Sequence, residues 1–431
     1  MKKSLFAIAA VTAFAGAAQA QSSVTVYGLL DVGYIGSNSR VSSNAITKNG
    51  GQYKTTTNQI GDSAESTSRL GFKGTEDLGS GMSAFFTAEF ALAPTDQNLG
   101  GNGNAGLQNR QAFVGVKKNG LGQTALGNQY TPVFNSVAST SANQMNNMIG
   151  DMIYPTGKQG AANGGTGYTT AGFTARTGNT LTINSDSFGG FRAGAMYTLN
   201  GKNDSQSTTS AGATIGGTTN STGWGLNADY TYSKFYISAA YQALKQVTTA
   251  SQVAPTFTEN ANTGAVTVAN SALWANAQGA GAASTIQATT GNALNIQDNQ
   301  FYAGASYDFG ILKAYAQYIN RKGTSTASSN YYVKRQAEQI GVRSFITPKV
   351  EAWASAGLGR YTTFGANQPT ANMNGWQLGS NYWLSKRTNL YAIYGQTLAS
   401  NGSGTFTSGS TTVSTRSSGI SNYAIGVRHT F

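Results

Sequence analysis

Apolar and polar positions alternate with a period of two along most of the chain, the spacing of half-buried β-strands. In residues 24–34 the apolar series is Val24, Val26, Leu30 and Val32. In 82–92 it is Ala84, Phe86, Ala88, Phe90 and Leu92, with Ser83, Thr87 and Glu89 on the other face. Phe191, Ala193, Ala195, Tyr197 and Leu199 repeat it against Arg192 and Thr198. So do Trp224, Leu226, Ala228 and Tyr230 against Asn227 and Asp229, and Phe235, Ile237, Ala239 and Tyr241 after them. Further stripes are Phe301, Ala303, Ala305 and Tyr307, and Leu312, Ala314, Ala316 and Tyr318 opposite Lys313, Tyr315 and Gln317. Trp376, Leu378 and Tyr382 oppose Gln377 and Asn381, and Tyr423, Ile425, Val427 and Phe431 share one parity at the end. Residues 350–361 and 390–397 carry apolar side chains on both parities, so the pattern leaves their faces open.

Short and long connections separate these segments in turn. The short ones centre on 78–82, 120–122, 189–190, 233–234, 310, 348 and 385–387. The long ones, rich in Ser, Thr, Asn and Gly, cover about 35–66, 93–107, 131–178, 200–222, 243–298, 322–333, 362–373 and 398–419. The pattern predicts an all-β chain: a transmembrane antiparallel β-barrel of about sixteen strands, with short turns at one end and long loops at the other. Aromatic strand tips (Tyr34, Phe90, Tyr130, Tyr232, Tyr307, Tyr361, Tyr382 and Phe431) suit interfacial girdles. A soluble β-helix would show a short internal repeat, which this sequence lacks.

Composition agrees with a wall that is apolar outside and polar inside. Charged residues are 10% of the chain, and 55 of 431 residues are Gly, against roughly 25% and about 7% in average soluble chains. Residues 1–20, with Lys2 and Lys3, an apolar stretch and Ala18-Gln19-Ala20, read as a secretory signal peptide. Residues 21–431 then form a single barrel domain holding 26 basic and 16 acidic side chains, a formal charge of +10. No cofactor or metal is implied: the chain has no Cys and one His, His429. That leaves no thiol nucleophile and no His-based zinc site, and a Ser-His-Asp triad would depend on His429 alone. Lys158 follows Gly157, but Met152 and Gln159 break a phosphate-binding loop. The bases are dispersed along an exported chain, so nucleic-acid binding is not expected.

The segments 24–31 (VTVYGLLD), 68–79 (SRLGFKGTEDLG), 109–117 (NRQAFVGVK), 127–130 (GNQY), 187–191 (SFGGF) and 423–431 (YAIGVRHTF) stand out. Together they resemble segments of the general porins of Gram-negative bacteria, beta-proteobacterial branch. The resemblance implies a sixteen-stranded outer-membrane barrel, a homotrimer, passive diffusion of ions and small hydrophilic solutes, and a third long loop folded inward. That loop is 131–178. Its one acid is Asp151, with Lys158 and Arg176 as its bases, whereas cation-preferring members line it with several acids.

Parity puts Leu70 and Phe72 on one face, and Arg69 and Lys73 on the other, toward the lumen. By resemblance, Arg69 and Arg110 match an arginine ladder at the constriction, with Arg176 completing it. Lys313, Arg321, Arg335, Arg343 and Arg428 are further lumen-facing bases. Guanidinium stays charged at any relevant pH, so such a ring favours small anions. Loop cations such as Arg40, Lys48 and Lys54 suit lipopolysaccharide phosphates. The C-terminal Tyr423, Ile425, Val427 and Phe431 match the signal read by the barrel-insertion machinery. Two readings compete with the general channel: a substrate-selective porin using lumen tyrosines (Tyr27, Tyr302, Tyr315), and an adhesin or receptor anchored by the barrel.

Overall fold

The computed structural model describes residues 23–42, 52–100, 107–155, 172–208, 214–248, 256–259, 266–269, 296–325, 332–363, 371–408 and 411–431. The expected signal peptide, Lys48 and Lys158 lie outside these residues. The strands are β1 (Ser23–Ser42), β2 (Gln52–Asp62), β3 (Arg69–Gly79), β4 (Met82–Ala91), β5 (Gln108–Lys118), β6 (Gly122–Tyr130), β7 (Arg176–Ser185), β8 (Phe191–Thr208), β9 (Thr214–Tyr232) and β10 (Phe235–Thr248). They continue as β11 (Thr256–Glu259), β12 (Val266–Ala269), β13 (Ile296–Asp308), β14 (Lys313–Ser325), β15 (Tyr332–Thr347), β16 (Val350–Thr363), β17 (Ala371–Trp383), β18 (Thr388–Ser408) and β19 (Thr411–Thr430). One helix, α1 (Pro132–Ser139), follows β6.

The strands pair antiparallel with their sequence neighbours, and β1 joins the two ends of the sheet. One edge of β1 pairs with β19, from Leu29↔Thr430 to Ser42↔Ser417. Its other edge pairs with β3 over Ser23–Leu29 and with β2 over Val32–Ser42. β2 and β3 are therefore one barrel position interrupted at 63–68, and the barrel has sixteen positions. Closure leaves no open edge, the condition for strands to exist in lipid. β11 and β12 form a separate small hairpin.

The outer face carries the predicted stripes. Val24, Leu30, Phe86, Val114, Leu226, Ile237, Leu378 and Ile425 are all exposed on it. The strands run further than the pattern suggested. β8 and β9 stay paired out to Thr208↔Thr214, and β18 and β19 out to Ser408↔Thr411, so much of the expected loops 200–222 and 398–419 is ladder. Beyond the membrane a ladder needs no apolar stripe, and its Ser, Thr, Asn and Gly read as loop. Two girdle assignments are corrected. Tyr130 and Tyr361 turn inward: Tyr130 stacks on Phe134, and Tyr361 is buried under Arg335.

The long segment after β6 lies inside the barrel. Thr131 caps α1 by accepting the Phe134 N–H (3.3 Å), and Pro132 sits where a helix needs no amide donor. A row of inward glutamines then holds the segment's backbone. Gln242 accepts from the Val133 N–H (3.3 Å) and Gln300 from the Thr174 N–H (2.7 Å). Gln339 accepts from the Met152 N–H (2.7 Å), and Gln377 donates to the carbonyls of Met148 (2.7 Å) and Ile149 (2.9 Å). Gly395 is required here, because a Cβ would sit 1.7 Å from the Ile149 carbonyl oxygen.

This docking explains the two segments with apolar residues on both parities. Leu358 and Leu390 face outward, while Trp353, Tyr361, Tyr391 and Ile393 are buried inward. Trp353, Tyr391 and Ile393 cluster with Met148 of the inserted loop, and Tyr361 with its Met152, Ile153 and Phe173. The loop thus covers the β10–β18 side of the lumen.

Gln377→Leu leaves the Met148 and Ile149 carbonyls without their donor. At about 1–3 kcal/mol per orphaned buried group, the docked loop is weakened at that end. Amide hydrogen exchange is expected to accelerate at 143–150 while the strands stay protected. Unchanged exchange in the loop would show that the glutamine row does not hold it.

Candidate pore constriction

The matched bases meet on the wall of β3–β7, beside the part of the loop where Met148 clusters with Ile35 of β1 and with Ala64. On β3, the alternation that sends Leu70 and Phe72 outward turns Arg69 inward. Its Nε donates to the Thr67 carbonyl (2.9 Å). On β4, Glu89 also points inward and is buried. Arg110 Nε donates to Glu89 Oε1 at 2.7 Å, and Arg69 Nη1 lies 4.0 Å from Oε2. Tyr27 completes the carboxylate's shell, its hydroxyl donating to Oε2 (3.1 Å). The Tyr27 ring lies across Gly71, where a Cβ would approach it to 2.3 Å.

Arg110 reaches this cluster through a backbone irregularity. Val114 and Val116 face outward, so strict alternation would send Arg110 toward lipid. The β4–β5 register shifts there, from Glu89↔Gln111 to Phe90↔Asn109, and Arg110 becomes the extra residue of a bulge. A bulge re-aims its side chain, and here the guanidinium turns in. Its Nη2 donates to the Tyr130 hydroxyl (2.8 Å). Arg176, opposite Tyr130 on β7, donates from Nη1 to the Arg110 carbonyl (3.1 Å) and stands 5.8 Å from the Tyr130 ring. Behind Tyr130 lies Phe134 of α1, stacked at 3.8 Å. Arg69, Arg110 and Arg176 therefore gather around Glu89 and Tyr130. Arg69 keeps 24% of its side chain exposed, whereas Arg110 keeps 7%. Lys73 is exposed below them, over the Tyr27 ring at 5.4 Å.

The other candidates are placed differently. Asp151 is buried within the loop and does not line the opening. It accepts from the N–H groups of Ile153 (2.7 Å) and Tyr154 (2.8 Å) and from Asn143 Nδ2 (2.8 Å). Burial raises the phenol pKa of the neighbouring loop residue Tyr154. Arg321 and Arg335 point inward as parity requires but are buried beneath the loop, Arg321 on Asp298 (2.7 Å) and Arg335 against the Met152 carbonyl. Tyr302 is also buried there and offers no solute track. Arg343 pairs with Glu351, and Arg428 lies 3.5 Å from Glu65. Lys313 sits over the Tyr315 ring at 5.4 Å.

The sequence reading missed these acids. Glu89, Asp229, Asp298 and Glu351 each stand beside an inward arginine on a neighbouring strand, and Glu65, in the break at 63–68, stands beside Arg428 of β19. Their inward parity was readable for Glu89 and Asp229, but their partners depend on register. Arg69 and Arg110 share one carboxylate, so the pair keeps one positive charge in excess.

A closed barrel with an apolar outer belt, a polar interior and a loop folded across part of its bore has the architecture of an integral membrane β-barrel. Residues 7–402 match the Gram-negative porin family, and the chain belongs to that family. It is therefore an integral outer-membrane β-barrel, in a family of porins and not of enzymes. Outer membrane porin protein 32 of Delftia acidovorans is 35% identical over 224 residues, which is 50% of this chain and 55% of that protein. An outer membrane porin protein of Bordetella pertussis is 34% identical over 131 residues, 30% of this chain and 34% of the relative. The chain thus spans about half the length, or less, of these curated relatives. Among solved structures, the anion-selective porin from Comamonas acidovorans superposes with TM-score 0.64 at 20% identity, covering 95% of this chain and 100% of that one. The trimer form of OmpT from Vibrio cholerae gives 0.55 at 14% identity, covering 95% and 99%. These two likenesses bear on the fold.

Glu89 carries the negative charge that Arg69 and Arg110 share. Glu89→Gln keeps an acceptor for Arg110 and removes the shared negative charge, so chloride preference is expected to rise. Zero-current potentials under a KCl gradient read this directly. A shift toward potassium would mean that Glu89 does not act on the permeating ion.

Proposed function

We propose that the chain forms a water-filled channel for passive diffusion of ions and small hydrophilic solutes, with a preference for anions. The observation that carries the preference is the single carboxylate shared by Arg69 and Arg110, with Lys73 exposed beside it. A fixed positive excess in a narrow bore with low-dielectric walls concentrates anions and repels cations, and salt screens the effect. The inserted loop adds no exposed acid among its described residues, because its own Asp151 is tied to loop amides. The name of the Comamonas structure supports the same sign.

The open wall suits unspecific passage. Gln111, Gln123, Asn184 and Asn227 line a recess of about 140 Å³ near Tyr130, and such amides bind neither sign of charge strongly. The long loops face outside the cell, the short turns face the periplasm, and three chains form the working unit. Lipopolysaccharide and the barrel-insertion machinery are the expected partners of the outer wall and the C-terminus. There Phe431 and Gly28 exchange backbone hydrogen bonds, both 3.1 Å.

Purified protein in a planar bilayer under a KCl gradient is expected to give a zero-current potential of the chloride sign. Arg69→Ala and Arg110→Ala are each expected to bring it toward zero, since either leaves one arginine against Glu89. A potassium sign in the unaltered protein would overturn the anion preference, and a silent folded barrel would overturn the channel.

Deletion of Phe431 removes the residue that pairs with Gly28 and is expected to lower the yield of membrane-inserted barrel. Equal yield, read by heat-modifiable gel mobility of isolated outer membranes, would remove the C-terminus as an assembly signal.

A further inference from the structure

On β4, Phe85 stands in one inward row with the polar Ser83, Thr87 and Glu89. Its chain neighbour Phe86 is exposed on the outer face. On β5, Phe113 likewise turns inward beside the outward Val114. The two rings meet edge to face, with centroids 6.3 Å apart and planes at 78°. Gly115 makes room for them, because a Cβ there would lie 2.6 Å from the Phe85 ring. Both rings are half-buried, and among the described residues neither joins the apolar clusters that the inserted loop forms with the wall. Parity turns them away from lipid, so their free surface faces the bore.

The rings have a base on one side and amides on the other. Lys73, Thr87 and Phe113 are successive cross-strand partners on β3, β4 and β5. Neighbouring strands lie about 4.8 Å apart, so the Lys73 and Phe113 backbones are roughly 10 Å apart. The exposed lysine side chain spans part of that gap, and it forms no ion pair with a described carboxylate. Glu89, the next inward residue of β4 after Thr87, is held by Arg110, Arg69 and Tyr27. Asp77, further along β3, accepts the Gly79 N–H through Oδ1 (2.9 Å). On the other side, Phe113 lines the recess of about 140 Å³ together with Gln111, Gln123, Asn184 and Tyr130. Roughly 150 Å³ is enough to hold one benzene ring, and amide side chains both donate and accept.

We propose that this stretch of wall is a retention site for small aromatic carboxylates. The ring of the solute lies against Phe113 and Phe85, its carboxylate meets Lys73 and the Thr87 hydroxyl, and a hydroxyl on the ring reaches the amides of the recess. The inference rests on the reading of the lumen as an anion channel and names the class of anion that the channel holds longest. A base alone would take any anion, and an amide recess alone would take any small polar solute. Rings beside a base select an anion that itself carries a ring, since aromatic pairs gain from offset or edge-to-face contact at about 4.5–7 Å. Such a site stays compatible with passage because its contacts are few and weak enough to release the solute.

The test is saturation-transfer NMR on the purified, detergent-solubilised protein, with 4-hydroxybenzoate, 4-hydroxybenzamide and acetate as probes. Saturable transfer to the ring protons of 4-hydroxybenzoate is expected, with weaker binding of the uncharged amide and of acetate. The double variant F85A/F113A is expected to weaken 4-hydroxybenzoate binding on the order of tenfold, and Lys73→Gln about threefold. Phe86→Leu, on the lipid side of the same strand, is expected to retain it. Unchanged binding in F85A/F113A or in Lys73→Gln would overturn the proposal. So would equal binding of acetate or of 4-hydroxybenzamide, or an equal loss in Phe86→Leu. Chloride current through the same proteins in planar bilayers gives a second readout: 4-hydroxybenzoate is expected to reduce it saturably, and F85A/F113A to relieve that block. Zero-current potentials in KCl without a probe report the channel reading by themselves. A chloride sign without 4-hydroxybenzoate binding would overturn the retention site alone, and a potassium sign with binding intact would overturn the anion preference alone.

Discussion

Everything in this fold follows from the need to satisfy backbone N–H and C=O groups inside a membrane. Lipid offers no hydrogen-bonding partner, so a strand survives there only with a neighbour on each side. β1 meets that need by pairing with β19 along one edge and with β2 and β3 along the other. Once the sheet is closed, side-chain parity becomes compartment. One parity meets hydrocarbon and the other meets water or the inserted loop. The chain can therefore be poor in charge, rich in glycine and negative in mean hydropathy, and still be a membrane protein.

The inserted loop imposes a second constraint. A barrel of this size leaves its bore to water, and a loop crossing it carries polar backbone into the interior. The glutamine row answers this, because one amide side chain can donate and accept at once. Gln377 and Gln300 each meet loop groups with both functions. Apolar side chains fill the rest, from Val133 and Val137 on α1 to Ile319 and Ala337 on the wall. The lumen is thus divided into a packed side and a wet side, and the location of a base decides its role. Arg321 and Arg335 belong to the packing, whereas Arg69 and Lys73 meet the water.

That division explains what the sequence revealed and what it did not. The strands, their number and the outward stripes were legible because lipid enforces one periodic rule. The tips of the extracellular ladders were not, since above the membrane both faces are wet and the rule lapses. Residues 350–361 and 390–397 were ambiguous because Trp353 and Tyr391 serve the loop from the wall's inner face. Arg110 was legible only through family resemblance, for its parity points outward and a bulge reverses it. The acids were missed for another reason. Glu89 meets Arg110, 21 positions further along the chain, and Asp298 meets Arg321 across 23. Such separations acquire meaning only when the register is known.

The shared carboxylate shows how two inward arginines can lie close together and still be stable. Two guanidinium groups packed side by side would each lack a counterion, and removing one partner of a buried pair costs about 3–5 kcal/mol. Supplying one acid for each arginine would cure this, and would also cancel the field along the pore axis. The wall does that elsewhere: Arg192 has Asp229, Arg321 has Asp298, and Arg343 has Glu351. At the proposed constriction, Glu89 contacts Arg110 closely and Arg69 at 4.0 Å. The better-buried arginine receives the stronger partner, and the more exposed one keeps its contact with water. Desolvation is thereby offset where it is greatest, while charge stays uncompensated where water can carry its field to a passing ion.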